Sequence, residues 1–325
     1  MTTVLTALDL SRATRRTPLG QTAEGLSGAS FESLVLDGEQ YVVKNLSPTT
    51  DWVMRAAGDV DVPYVARLFH GGAFERIAGV VDTGLVDIGH DPETRQTQLL
   101  MRDLTDLFLR DHNPITEQQQ AQVLHAMAGM HAATWGVTDT WGLSSGGRRF
   151  QMLSPSFARS ERAHGPLAGV PAVLEPMWDV FAAAAPEEHA LLLSLTEDPA
   201  PLVRALGRTP SCLVHGDWKG GNLGLHDDGR VVLVDWAFPG VDAPLLDLAW
   251  YLAVNCDRLP DGKEGTIAHY RHALEGHGIE TASWWDTQLP LALLGGAVQM
   301  AWNKCDQPDE LAWWLDRVRE ARALL

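Results

Sequence analysis

The chain has 325 residues, 45% hydrophobic and 21% charged, with a formal net charge of -17. This size and composition suit a folded protein of two domains or two lobes and give no sign of disorder. The balance of 25 basic against 42 acidic side chains argues against nucleic acid or an anionic membrane as the main partner, because phosphate groups are held by clustered Lys and Arg.

The first residues, MTTVLTALDLSRATRRTPLG, lack a long apolar run. The longest uncharged stretch, LPLALLGGAVQMAWN, is shorter than the ~20 apolar residues a membrane-spanning helix needs. Cys212, Cys256 and Cys305 are odd in number and widely spaced, without metal-ligand spacing, which fits a reducing cytoplasm. The expectation is a soluble cytoplasmic protein.

Residues 24 to 44, EGLSGASFESLVLDGEQYVVK, read as a hairpin. Leu34 and Leu36 alternate with polar or smaller positions, Asp37 to Gln40 turns the chain, and YVVK ends on Lys44. Two helical segments follow, DWVMRAAGD and YVARLFHGGAFERIAG, then a strand, VVDTGLVDIG, and a second strand, TQLLMRDL, that runs into a linker. Thr116 and Gln119 form a capping box ahead of a helix on which Val123, Met127 and Met130 recur. His125 and His131 lie six apart on it and so do not share a face, which makes them packing or surface residues.

The stretch CLVHGDWKGGNLGLHDDGRVVLVDW, residues 212 to 236, carries the most specific signal. Asp-Gly between two apolar runs predicts an antiparallel hairpin. With Asp228 and Gly229 as a two-residue loop, Gly224 faces Leu233 and Asn222 faces Asp235. Opposed Cα atoms in such a ladder lie roughly 4.5 to 5.5 Å apart, close enough for one hard cation to take an oxygen from each. Asp217 stands five residues before Asn222, and the glycines between them allow a tight bend. Phosphoryl transfer needs this kind of set, a carboxylate for the attacking hydroxyl and oxygen ligands for Mg²⁺. Taken singly, Asp217, Asn222 and Asp235 would be turn caps; their combination is what argues for chemistry.

HGDWKGGN followed by VLVDW resembles the H-G-D-x-x-x-x-N and [IV]-D-[WF] motifs of the aminoglycoside phosphotransferase and choline kinase superfamily. The resemblance implies an α+β, two-lobed, protein-kinase-like fold, with a small β-rich N-lobe over residues 1–104 and a larger helical C-lobe over 105–325. It implies a base at Asp217, metal ligands at Asn222 and Asp235, and ATP and Mg²⁺ as cofactors. By the same resemblance Leu26, Ser27, Gly28 and Ala29 cover the nucleotide, and Lys44 meets its phosphates. Leu100, Met101, Asp103 and Leu104 form the hinge that meets adenine through the main chain. Glu75 is the nominated acidic partner of Lys44, with Asp51 and Asp59 as alternatives. Asp247, within APLLDLAWYLAV, is a structural acid that holds the catalytic loop's backbone.

His215 reads as a loop-fixing residue and Cys212 as a buried small hydrophobe. Trp218 and Lys219 are candidates for the acceptor side. Eleven of the 12 tryptophans fall at or after residue 135, which puts most of the aromatic core in the second lobe, and Leu311, Leu315 and Val318 stripe its last helix. The expected reaction is transfer of the ATP γ-phosphoryl group to a small-molecule hydroxyl: an aminoglycoside-like antibiotic, a sugar or aminosugar, or an amino alcohol. Asp139, Glu161, Glu175, Asp257 and Glu264 are acids that could greet an amine on the acceptor. The competing readings are an inactive nucleotide-binding regulator and a metal-dependent hydrolase. Expected partners are the nucleotide and the acceptor, with neither nucleic acid nor membrane, in a monomer or homodimer.

Overall fold

The computed structural model describes residues 8–19, 27–109, 113–144 and 146–325. Leu26, one of the expected nucleotide-covering residues, lies outside them. The N-terminal part is an antiparallel sheet in the order β1-β2-β3-β6-β5, formed by β1 (Ala13–Leu19), β2 (Ser30–Leu36), β3 (Glu39–Leu46), β5 (Leu85–Asp91) and β6 (Gln96–Arg102). β4 (Val81–Asp82) joins a second sheet. The β2–β3 turn is tighter than the sequence suggested: Leu36 pairs with Glu39, and Asp37 and Gly38 both take positive φ, at 54° and 91°. That is the two-residue geometry that matches strand twist. β1 was not anticipated, and its ATRRTPL sequence is almost entirely exposed, so it carries no apolar alternation to reveal it.

Three short helices, α1 (Trp52–Ala57), α2 (Tyr64–His70) and α3 (Ala73–Ile77), lie between β3 and β4. Asp51 caps α1 by accepting from the Val53 and Met54 amides, and Gly58 ends it in the left-handed region. The second helical segment is broken at Gly71-Gly72, where Gly72 takes φ 72°.

Asp59, just ahead of α2, accepts the Tyr64 N–H at 2.9 Å from one carboxylate oxygen and 3.1 Å from the other. Burial raises its pKa from 3.8 to about 7, against the opposing Tyr64 hydrogen bond and the Arg67 charge. The unfolded chain releases this proton near pH 4 and the folded chain near pH 7, so stability should fall as pH rises through that window and level off above it. Asp59→Asn should flatten the fall and be the more stable protein at pH 8, by about 2–4 kcal/mol, while matching wild type near pH 4. Urea midpoints measured from pH 4 to 8 check this.

The C-terminal part is mainly helical. α4 (Glu117–Ala133) starts with the expected capping box, both of whose hydrogen bonds form. It is followed by α5 (Gly146–Gln151), α6 (Pro155–Glu161), α7 (Val170–Ala184), α8 (Pro186–Glu197) and α9 (Ala200–Leu206). Four three-residue strands come next, β7 (Cys212–Val214), β8 (Leu223–Leu225), β9 (Val231–Leu233) and β10 (Gly240–Asp242). The chain ends with α10 (Leu245–Val254), α11 (Gly262–Gly276), α12 (Trp285–Met300) and α13 (Pro308–Ala321). α12 runs through the core, with Gly295 against Phe150 and Leu246, and Gly296 against Trp314 and Ala249. Leu311, Leu315 and Val318 are buried along α13, as the stripe required. Among the described residues no helix is long and apolar enough to cross a membrane.

The sheet β4-β9-β8 carries the hairpin of residues 222 to 235. β4 runs parallel to β9, with Val81 beside Val231, so the segment leaving α3 props the hairpin from the N-terminal side. Asp82 next to it bonds His226 Nε2 at 2.9 Å and forms an ion pair with Arg102 at the end of β6.

Candidate active site

The hairpin register differs by one residue from the expected one. Leu223 pairs with Leu233 and Gly224 with Val232, and His226 donates its N–H to Arg230 O. The loop therefore has three residues, Asp227, Asp228 and Gly229, closed by Gly229 at φ 91°, the usual solution when a left-handed glycine ends the turn. Asn222 consequently faces Val234, whose N–H reaches Asn222 O at 3.1 Å, and not Asp235.

Asp235 has left the strand at φ 64°, a rare conformation for a non-glycine residue. Its carboxylate meets Lys44 Nζ at 2.7 Å. Burial would raise the Asp235 pKa, but the charges of Lys44 and Lys219 and the Lys44 hydrogen bond outweigh it and draw it to about 2. This ion pair joins a lysine on β3 to a residue 191 positions later. Glu75 is not the acid that meets Lys44: it is exposed on α3, and the lysine pairs with Asp235. Asp51, one of the two alternatives, is 2% exposed; burial raises its pKa to about 6 against the pull of Lys44's charge. Asp59 serves α2 as described above.

Asp217 is held from both sides. Trp250 Nε1 donates to Oδ1 at 2.9 Å, Asn222 Nδ2 donates to Oδ2 at 2.9 Å, and Lys219 Nζ stands 3.2 Å from Oδ2. Asn222 Nδ2 also reaches the Asp217 main-chain oxygen at 2.9 Å. Both bonds use the amide nitrogen, so Oδ1 is the Asn222 atom suited to a cation.

Beneath the loop, Asp247 is fully buried. It accepts from His215 N at 2.8 Å, Gly216 N at 2.7 Å and Trp218 Nε1 at 2.9 Å. His131 Nε2 is 3.2 Å away, so this histidine belongs to the support of the loop. His215 is buried, and burial lowers its pKa. Nδ1 takes the Asp217 N–H at 3.1 Å and Nε2 bonds Val234 O at 3.1 Å, as a neutral ring with its proton on Nε2 would. Trp218 is fully buried, its carbonyl accepting from Asn255 Nδ2, so it is a core residue and not an acceptor wall. Cys212 is buried, with its thiol pushed up by burial.

Sequence reasoning missed Arg149 on α5. It is 6% exposed, donates to Phe238 O at 3.4 Å and stands 4.0 Å from Asp247. An arginine in GGRRF gives no local sign of this role; the hint lay in Gly216, whose missing side chain leaves room beside the loop. Gly216 has φ +87°, and a Cβ there would lie 2.5 Å from Phe238 O. Gly216→Ala should therefore displace the neighbouring Asp217 and lower turnover by about a hundredfold, with little change in nucleotide affinity. Steady-state kinetics and a nucleotide titration read both quantities.

Ser27, Gly28 and Ala29 pack against the start of α1. Ser27 O accepts the Trp52 N–H at 3.0 Å, and a Cβ on Gly28 would meet Thr50 O at 2.2 Å. Leu100 and Met101 lie mid-sheet, registered with β3 on one side and β5 on the other. Their main-chain groups are thus committed to the ladders, and the part of the expected hinge outside the strands is Asp103 and Leu104. Asp103 Oδ1 accepts from Thr105 N at 3.2 Å and Thr105 Oγ1 at 2.6 Å.

Among the described residues no group of three or more His, Cys, Asp and Glu side chains has metal-binding geometry. One carboxylate and one amide oxygen, both hard donors, are nonetheless the few protein ligands Mg²⁺ takes when phosphates and water supply the rest. Asn222 Oδ1 and the Asp235 carboxylate are donors of that chemistry.

A small antiparallel sheet bearing a lysine paired to an aspartate beyond a hairpin, set over a helical part that holds the loop's other carboxylate, defines a small-molecule kinase of protein-kinase-like fold. The model of the phosphotransferase enzyme family, APH, matches residues 58–282, more than half of the chain, and the chain belongs to that family. Asp217, Asn222 and Asp235 fall inside the matched segment; Lys44 precedes it. The fold is similar to that of choline kinase LicA from Streptococcus pneumoniae, at 12% identity and a TM-score of 0.52 over 97% of this chain and 94% of that one. Spectinomycin phosphotransferase APH(9)-Ia, in complex with ADP and spectinomycin, aligns at 12% identity and a TM-score of 0.48 over 95% and 92%. A thermostable mutant of aminoglycoside phosphotransferase APH(4)-Ia, with ADP and hygromycin B, does so at 15% and 0.48 over 96% and 94%. No curated protein sequence matches the chain.

Proposed function

We propose that the protein transfers the γ-phosphoryl group of ATP to a hydroxyl of a small molecule. The observation that carries this reading is a pair of side-chain groups, Asp217 with Asn222 and Lys219, and Asp235 with Lys44, linked by Lys219, whose charge also lowers the pKa of Asp235. Asp217, fixed by Trp250 and Asn222, orients the acceptor hydroxyl and takes its proton as the new O–P bond forms and the bond to the β-phosphate oxygen breaks. The loose transition state makes positioning the larger part of this role. Lys44 meets the nucleotide's phosphates, and Lys219 adds positive charge beside the transferring group. Asn222 Oδ1 and the Asp235 carboxylate would hold Mg²⁺, which supplies neutralisation of the charge shared between β- and γ-phosphates. Asp103 and Leu104 offer main-chain groups to adenine.

The test is release of ADP from ATP in the presence of hydroxylated acceptors, with and without Mg²⁺, beside a nucleotide-binding titration. Turnover that needs both Mg²⁺ and an acceptor is expected. Nucleotide binding without turnover would favour an inactive regulator, and absence of nucleotide binding would end the proposal.

A further inference from the structure

A cavity of about 930 Å³ opens between α1 and the β5–β6 turn on one side and α5 and α6 on the other. That is the size of a small-molecule site, yet none of Lys44, Asp217, Asn222 and Asp235 lines it. One wall is a closed ion pair. Arg55 holds Glu161 through Nε at 3.0 Å and Nη2 at 2.6 Å and bonds Pro48 O at 2.6 Å, so α1 is tied to α6 with no net charge left over. Two other guanidinium groups on the cavity, Arg95 and Arg148, have no carboxylate partner among the described residues. Glu93 alone opposes them on the lining. The hydroxyls of Ser156 and Ser160 complete a polar lining.

Arg148 borders two cavities. The second is small and runs past Ala57 and Arg149 to Phe238 and Gly240, the segment that follows Asp235. Its neighbour Arg149 is the residue clamped to Phe238 O beside Gly216. The Arg148 guanidinium lies over Gly58, where a Cβ would come within 2.7 Å of Nε, so the bare end of α1 makes room for it.

We propose that this cavity docks the acceptor, and that the acceptor carries an anionic group, a carboxylate or phosphate, gripped by Arg148 with Arg95 at the rim. The proposal deepens the phosphotransfer reading and rests on it. It runs against a cationic acceptor, and four of the five acids singled out in the sequence agree, the fifth, Asp257, being exposed. Glu161 is consumed by Arg55 and Glu175 by Arg159 and Arg162. Asp139 accepts the amides of Trp141, Gly142 and Leu143, and Glu264 accepts from Trp313. A planar, permanently charged guanidinium can bind a carboxylate or phosphate through two parallel hydrogen bonds, which selects for anions over neutral sugars of the same shape.

The experiment uses the full chain with Mg²⁺ and ATP and a panel of hydroxylated carboxylates and sugar phosphates, set against the matching neutral sugars and aminoglycosides. Saturable turnover with an anionic member is expected. Arg148→Ala should raise its KM by about tenfold or more with the KM for ATP unchanged, and Arg148→Lys should recover part of the loss. Turnover confined to neutral or cationic members, or a KM that Arg148→Ala does not move, overturns the proposal. Nucleotide binding without turnover on any anionic member overturns it too, while phosphotransfer to another class can still stand. Failure to bind nucleotide removes the phosphotransfer reading itself.

Discussion

Asp217→Ala should lower turnover by about 10²–10⁴-fold and leave nucleotide affinity near that of wild type. The change removes the carboxylate that meets the acceptor hydroxyl but spares the neighbours that would meet the nucleotide. Asn222 keeps its second hydrogen bond, to the main-chain oxygen of residue 217, and Lys44 keeps Asp235. Alanine is a cleaner probe than asparagine. An amide placed where Oδ2 now stands would put an NH₂ group against Asn222 Nδ2 and Lys219 Nζ, and relieving that clash would turn Asn222. The cost of Asp217→Ala is a buried Trp250 N–H left without its acceptor, about 1–3 kcal/mol of stability, so a denaturation curve belongs beside the kinetics. Asp235→Ala should behave differently, weakening Mg·ATP binding as well as turnover. Near wild-type turnover in Asp217→Ala would remove this residue from the chemistry.

What could be read from the sequence follows the range of the interactions concerned. Signals confined to a few neighbours were legible: the Thr116 and Gln119 capping box, the place though not the tightness of the turn after Leu36, the stripe of α13, the order of lysine, loop and aspartate. Asp227-Asp228-Gly229 shows where local information stops. A two-residue loop ending at Gly229 and a three-residue loop closed by it use the same residues, and they shift the ladder by one position. The parallel partner β4 sits 150 positions before β9 in the pairing of Val81 with Val231, and no turn residue encodes it. The partner of Lys44 failed for the same reason. Helical context pointed to Glu75, whereas the pair is made across the molecule by a residue whose backbone has left its strand. β1 and Arg149 are further cases, one a polar edge strand and the other a buried cation made useful only by a distant glycine.

Asp247→Ala should be the most damaging substitution to the fold, by about 3–5 kcal/mol. Three N–H donors, on His215, Gly216 and Trp218, end on this one carboxylate, and all three lie where water does not reach. Removing it leaves them unsatisfied and takes away one of two carboxylates, Asp242 being the other, that act on Arg149. Asn should recover only part of the loss. His215 N and Trp218 Nε1 share Oδ2, but Gly216 N takes Oδ1, and an amide can offer an acceptor on one side only. Burial raises the Asp247 pKa, yet the His131 hydrogen bond and the charges of His131 and Arg149 bring it below 3.8. Its contribution is therefore present above the ordinary carboxylate range and lost as pH falls through the depressed value, so wild type should lose more stability on acidification than Asp247→Asn does. Because the donors belong to the residues on either side of Asp217, the variant should also lose turnover at temperatures where it remains folded. Denaturation curves at neutral and acid pH, with kinetics below the melting point, test both effects. An Asp247→Ala protein within about 1 kcal/mol of wild type would mean the loop stands without this anchor.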